Sequence, residues 1–236
     1  MAKPVPTAIL FDVFGTCVDW RTCVAREVAA MAAAKGVALD ALAFTDAWRA
    51  NYSPSMEVVR SGKRPYVPLD VLHRETLVAL CAQFGLPLSA VETDTLNFAW
   101  HRLDPWADTV AGLDRLATKF ILSPLSNGNV RLLVDMAKRA ALPWDTVLST
   151  EVFKAYKPMP QTYLGAVELL GCKPGEVMLT AAHNADLRAG QALGLLTAFI
   201  HRPTEYGPAQ KADLGPEGDW TYIARDLEDL ADQLGV

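Results

Sequence analysis

The sequence predicts an α/β protein: a parallel sheet of alternating strands and helices, interrupted early by an all-helical insert. Three observations carry this reading. The first is the continuous apolar run Ala8–Phe11, bounded by Pro6 and Gly15. Such a run suits a strand buried on both faces of a parallel sheet. The second is a set of three similar runs later in the chain, at 120–122, 177–179 and 196–200, with helical patterns between them. Strands and helices alternating in this way imply right-handed βαβ units. The third is the stretch 18–106, where strand-like runs are lacking and the apolar spacing is that of helices.

The elements follow in order. After the first strand, Val24, Val28 and Met31 form one helical stripe. The Pro/Gly-rich piece 61–68 reads as a loop, and Leu69, Leu72, Leu80 and Phe84 lie along another helix. Ser89, three places before Glu92, matches a capping box, in which each side chain satisfies the other's backbone N–H. In the second half Val130, Leu133, Val134 and Ala137 recur at helix spacing. So do Tyr163, Val167 and Leu170, stopped by Gly171. The segment 187–193 ends at Gly194, a suitable residue just past a helix end. The expected division is a core of residues 1–17 and 107–236 and a helical cap of residues 18–106. No internal repeat or low-complexity tract stands out.

The bulk numbers narrow the class. A chain of 236 residues, 51% hydrophobic and 21% charged, is large enough for one α/β core with an insert. Its formal charge of -5 and scattered basic residues argue against a nucleic-acid face. An anionic small molecule would have to be met by single, placed cations. The four cysteines, Cys17, Cys23, Cys81 and Cys172, form no CxxC pair and no zinc-like spacing. The N-terminal run lacks a signal-peptide layout, and no apolar stretch has membrane-spanning length. The expectation is a cytoplasmic protein without a membrane or nucleic-acid partner.

In open parallel sheets, ligands bind beyond the carboxyl ends of the strands. Polar residues just after the apolar runs are therefore the candidates. Asp12 and Thr16 follow the first run, and Ser126 and Asn127 the second. Lys157 precedes a helix, and His183, Asn184 and Asp186 follow the run at 177–179. A lone Asp after a strand is usually a turn residue, and most lysines are solvated. Candidates at several strand ends are harder to assign to turns, and their convergence points to an enzyme.

The stretches "FDVFGT", "SNG", "YKP" and "HNAD" stand in the order found in the haloacid dehalogenase superfamily, which this chain resembles over its whole length. The resemblance implies a Rossmann-like parallel-sheet core with an inserted helical cap. Within the superfamily the chain looks most like the 2-haloacid dehalogenase branch. Tyr163, six places after Lys157, and "WRANY" with Arg49 fit that branch. The branch rests chiefly on Phe14. Phosphatase members carry a second Asp there to protonate a leaving alkoxide, and a halide needs no such proton.

The resemblance implies a metal-independent hydrolase without a cofactor, acting on short 2-haloacids, and suggests a homodimer. Asp12 is the implied nucleophile and Lys157 keeps it ionised. Thr16 and Ser126 grip the nucleophile or the substrate carboxylate. Arg49 and Asn127 cradle the halide, and Phe14, Tyr163 and Asn184 complete the binding set. Asp186 orients Lys157 and helps position the hydrolytic water. The better-known members carry Ser and Asn where this chain has Ala181 and His183. His183 is expected to hold or deprotonate that water, to donate to a leaving fluoride, or only to pack under the cap. The rival readings are a phosphatase, a phosphonate hydrolase with a cap lysine (Lys35 or Lys63), and a non-catalytic binding protein.

Overall fold

The computed structural model describes residues 3–236. Its centre is a six-stranded, all-parallel sheet: β1 (Ala8–Phe11), β4 (Ile121–Ser126), β5 (Leu148–Ser149), β6 (Val177–Ala181), β7 (Leu196–Ile200) and β8 (Tyr222–Ala224). The order across the sheet is β5-β4-β1-β6-β7-β8. β1 is thus central, flanked by β4 and β6, with Phe11 opposite Pro124 on one side and Thr180 on the other. Alternate side chains of a strand point to opposite faces. Ile9 and Phe11 join one apolar cluster, with Leu113, Leu133 and Leu230. Ala8 and Leu10 join the other, with Tyr163, Val167 and Leu187. This is why the run has no polar alternation: both of its faces are covered.

The first face is covered by α6 (Thr109–Ala117), α7 (Val130–Ala140) and α10 (Leu227–Leu234). The second is covered by α8 (Pro160–Leu169) and α9 (Asn184–Ala192). Between β1 and β4 come α1 (Trp20–Ala34), α2 (Ala41–Ala50), α3 (Tyr52–Arg60), α4 (Leu69–Phe84) and α5 (Ala90–Asn97). Ser89 and Glu92 form the capping box that starts α5.

Two expectations need correction. The segment 18–106 is not wholly helical, because its ends pair as a short antiparallel ribbon, β2 (Val18–Asp19) with β3 (Asp104–Pro105). The ribbon brings the two connections between sheet and helices side by side. Thr109 Oγ1 and the Trp106 indole N–H then donate to the carbonyls of Cys17 and Gly15, tying the return chain to the loop after β1. Second, the run at 120–122 is the start of a longer strand. β4 continues through Pro124 to Ser126, because at Pro124 it is paired with β1 alone and β5 joins only at Leu125 and Ser126.

Candidate active site

Asp12 is the first residue beyond β1, and its N–H still donates to the Thr180 carbonyl of β6 at 3.0 Å. The ladder fixes the backbone and leaves the side chain at the carboxyl edge of the sheet. The neighbouring strand ends bring partners to it. Lys157 Nζ lies 3.1 Å from Asp12 Oδ1 and 2.5 Å from Asp186 Oδ2. Thr16 donates its hydroxyl to Asp12 Oδ2 at 2.9 Å and accepts the Ala182 N–H at 2.9 Å. His183 Nδ1 is also 2.9 Å from Asp12 Oδ2. The Tyr163 hydroxyl donates to Asp186 Oδ1 at 2.6 Å, so both oxygens of that carboxylate are held.

Charge in this cluster follows from its partners. Burial works against ionisation of Asp12, but the Lys157 ammonium and then His183 outweigh it and hold the carboxyl well below its usual range. Burial likewise opposes the Lys157 charge, and Asp12 and Asp186 overcome it, so the lysine is raised. The site is therefore a buried carboxylate kept ionised by the cations paired to it.

His183 departs from two expected roles. Its Nε2 lies 2.9 Å from Glu205 Oε2, so the ring sits between two carboxylates. Burial disfavours its charge, but Glu205 and Asp12 prevail and raise its pKa well above the ordinary value. A ring that is cationic and engaged at both nitrogens is no ready base for water and has no free donor for a departing fluoride.

Above this floor lies a cavity of about 670 Å³. The core contributes Asp12, Phe14, Asn127, Lys157 and His183, and α2 and α3 contribute Arg49 and Tyr52. Phe14 is buried edge-on against Tyr52 and Trp100, with centroids 6.2 and 5.8 Å away. The place of a second acid is thus an aromatic wall. The Arg49 guanidinium lies 4.1 Å from the Tyr52 ring centroid and 5.2 Å from that of Trp20. Its Nη1 is buried without a protein partner. Asn127 uses its carboxamide oxygen to accept the Lys157 N–H at 2.8 Å, which leaves its NH₂ group for the cavity.

Two predicted binding residues do not reach the cavity. The Ser126 hydroxyl is fully buried and accepts the Gly128 N–H at 3.3 Å, shaping the turn into α7. Asn184 is also fully buried. It donates to Asp213 and the Gly215 carbonyl and accepts from the Glu217 N–H and the Trp220 indole, so it clamps the loop ahead of β8. Sequence reading missed Glu205, Trp20, Tyr52 and Tyr206. Collecting polar residues beyond the last long strand, as for the others, would have found Arg202 and Glu205 after β7. Arg202 anchors that turn with a bidentate pair to Asp108 and a bond to the Thr16 carbonyl.

Among the described residues, no group of three or more His, Cys, Asp or Glu is arranged to hold a metal ion. No described helix is long and apolar enough to cross a membrane.

The family model of haloacid dehalogenase-like hydrolases matches residues 6–194. An (S)-2-haloacid dehalogenase of Burkholderia cepacia is 29% identical over 205 residues, covering 84% of this chain and 86% of that protein. One from Pseudomonas putida is 25% identical over 231 residues, covering 96% and 95%. Among solved structures, a defluorinating L-2-haloacid dehalogenase superposes with a TM-score of 0.96 at 50% identity, covering 98% of this chain and 96% of that one. A further L-2-haloacid dehalogenase gives 0.94 at 51% identity, covering 97% and 98%.

Proposed function

The chain belongs to the haloacid dehalogenase-like hydrolases, and we propose that it hydrolyses the carbon–halide bond of short (S)-2-haloacids through an ester on Asp12. One observation carries the mechanism. A buried aspartate is paired to a lysine, under an aromatic-walled cavity, with Phe14 where an acid would be needed for an alkoxide leaving group.

In the first step Asp12 Oδ1 attacks the halogen-bearing carbon. The carbon–halogen bond breaks with its electron pair, and the configuration inverts. Arg49 and Asn127 receive the halide, and no proton moves. Arg49 is suited to this because its fixed fork of N–H donors sits over aromatic rings on the apolar side of the cavity. The substrate is held in line above Oδ1, which supplies much of the rate as orientation.

In the second step water adds to the Asp12 carbonyl carbon and gives a proton to Asp186. The tetrahedral species collapses by breaking its bond to the former Oδ1. That oxygen departs with the product and takes a proton from Lys157, 3.1 Å away in the resting site. Asp186 then returns its proton to Lys157, with which it is paired. Asp12 is left as the free acid and loses its proton to solvent, since its surroundings favour the carboxylate. The balance is one water consumed, and one 2-hydroxy acid, one halide and one proton released. Tyr163 holds Asp186 in place for both transfers.

The relative named as defluorinating makes fluoroacetate a substrate to include beside chloroacetate and 2-chloropropionate. The assay follows halide release from these three and phosphate release from p-nitrophenyl phosphate, each with and without EDTA. Halide release unaffected by EDTA is the expected result, and phosphate release without halide release would overturn the reading. By resemblance the assembly is proposed to be a homodimer, which its mass in solution tests.

A further inference from the structure

The two oxygens of Asp12 are not equivalent. Oδ1 has Lys157 as its side-chain partner, at 3.1 Å. Oδ2 has two, Thr16 Oγ1 and His183 Nδ1, each at 2.9 Å. The Thr16 hydroxyl is fixed as a donor because it accepts the Ala182 N–H. Once Oδ1 has attacked, Oδ2 is the carbonyl oxygen of the ester. When water then adds to the carbonyl carbon, the electron pair of the C=O bond moves onto Oδ2. The oxygen that becomes the oxyanion is the one already held by two side-chain groups. Donors placed where charge develops are the usual large contribution in ester hydrolysis.

His183 can serve there only while Nδ1 carries a proton. In the resting site two carboxylates hold its charge, Asp12 and Glu205. After the ester forms, the Asp12 charge is gone, and of the two only Glu205 remains. Glu205 is itself 1% exposed, and its other oxygen accepts the Trp20 indole N–H at 2.9 Å. It fits only because residue 15 is glycine: a Cβ there would lie 2.1 Å from Glu205 Oε1, and φ is +82°. The loop after β1 and the turn after β7 are thus built around this carboxylate.

We propose that Glu205 is a positioning residue that keeps His183 a doubly protonated donor throughout the cycle, so that Thr16 and the His183 imidazolium form the oxyanion hole for hydrolysis of the Asp12 ester. This rests on the ester mechanism above. Among the described residues, the other charged or titratable groups around the ring's cavity are Lys157 ahead of α8, Tyr163 on α8, Asp186 on α9, Tyr206 and Asp213 on the loop after β7, and Asp46, Arg49 and Tyr52 from the cap. Arg202 lies at the start of the Glu205 turn. Among the described residues, only Asp12 and Glu205 bond to the ring.

The test uses E205Q, which keeps shape and removes charge, and two readouts. The first is the ¹⁵N spectrum of the imidazoles from about pH 6 to 9. The chain has four histidines, and H183N assigns the resonance. In the wild type both His183 nitrogens stay protonated across most of this range, and in E205Q the titration midpoint falls. The second is rapid-quench reaction with chloroacetate, following halide and the ester-bearing Asp12 peptide by mass. In E205Q the halide burst persists and ester hydrolysis slows roughly 10- to 100-fold, less than outright loss of a donor. That hydrolysis slows further as the pH rises through the neutral range, where the wild type is flat. A neutral His183 in the wild type, or hydrolysis in E205Q at the wild-type rate, overturns the proposal, as does E205Q hydrolysis that quickens with pH as a base would. Wild-type enzyme that releases halide without any ester overturns the mechanism beneath it. The two failures are distinguished by which protein misbehaves.

Discussion

Asp12 and Arg49 face the same cavity from opposite sides, and their surroundings differ in kind. On the core side both oxygens of Asp12, both of Asp186, the Lys157 ammonium and both nitrogens of His183 have protein partners. On the cap side Arg49 Nη1, Thr45 Oγ1, Trp100 Nε1 and both His73 nitrogens are buried without one among the described residues. The core side is a network of opposite charges close enough to fix one another. The cap side is a box of rings, with the His73 ring 4.5 Å from that of Trp100 and 5.9 Å from that of Tyr52. In the proposed mechanism one side carries the chemistry and is organised in advance. The other supplies an apolar wall and a single cation aimed at an anion.

Substitutions sharpen that contrast, beginning with the largest effect. Asp12→Asn keeps shape and removes the proposed nucleophile, and turnover should fall roughly 10⁴-fold or more while the fold persists by circular dichroism. Lys157→Ala should lower kcat about 10²- to 10³-fold at saturating substrate, because it removes the charge held against Asp12 during both steps. Arg49→Ala should lose less in kcat and more in KM, roughly 10- to 100-fold in kcat/KM, because the cap cation also serves binding. An Arg49 variant with a kcat loss equal to that of Lys157 would erase the distinction between the two sides.

The smallest effect concerns stability. Burial pushes the His73 imidazole down to about 3, against an ordinary value of 6.5. The unfolded chain therefore takes up the proton first as the pH falls. No stability is lost to this group above about pH 6.5, and the loss grows as the pH drops toward 3, reaching roughly 2 kcal/mol near pH 5. His73→Phe should be about as stable as the wild type near pH 7.5, since neither ring nitrogen has a partner to lose. Urea midpoints near pH 5 should then favour the variant. A variant that is destabilised at both pH values would show a hidden hydrogen bond on the cap side.

The core side was legible in the sequence because each of its residues follows a strand or opens a helix at the carboxyl edge of the sheet. Asp12, Lys157 and Asp186 could be collected by that rule and then recognised by their order. The same rule misread Ser126 and Asn184. Both stand at the right edge, but a residue beside a strand end can turn its side chain into a loop, and sequence spacing does not show which way it turns. Glu205 stands beyond β7, where the same rule reaches it, but nothing in the polar stretch 201–206 marks it as the residue that turns inward. It sits in an irregular Pro/Gly-containing turn, and its place is set by Arg202 bonding to Asp108, residues far apart in the chain. The cap helices could be read from apolar spacing, yet the aromatic box could not. Phe14, Trp20, Tyr52, His73 and Trp100 come from separate segments, and only the folded chain puts them together.

In the proposed mechanism the oxygen that displaces the halide belongs to Asp12 and not to water. Single-turnover reaction in ¹⁸O-labelled water, with enzyme in excess over chloroacetate, tests it most directly. Water then attacks the carbonyl carbon of the ester, so the label is expected in the Asp12 carboxylate after digestion, with unlabelled glycolate released. Label in the glycolate and none in the Asp12 peptide after one turnover would mean direct attack by water, and would contradict the mechanism.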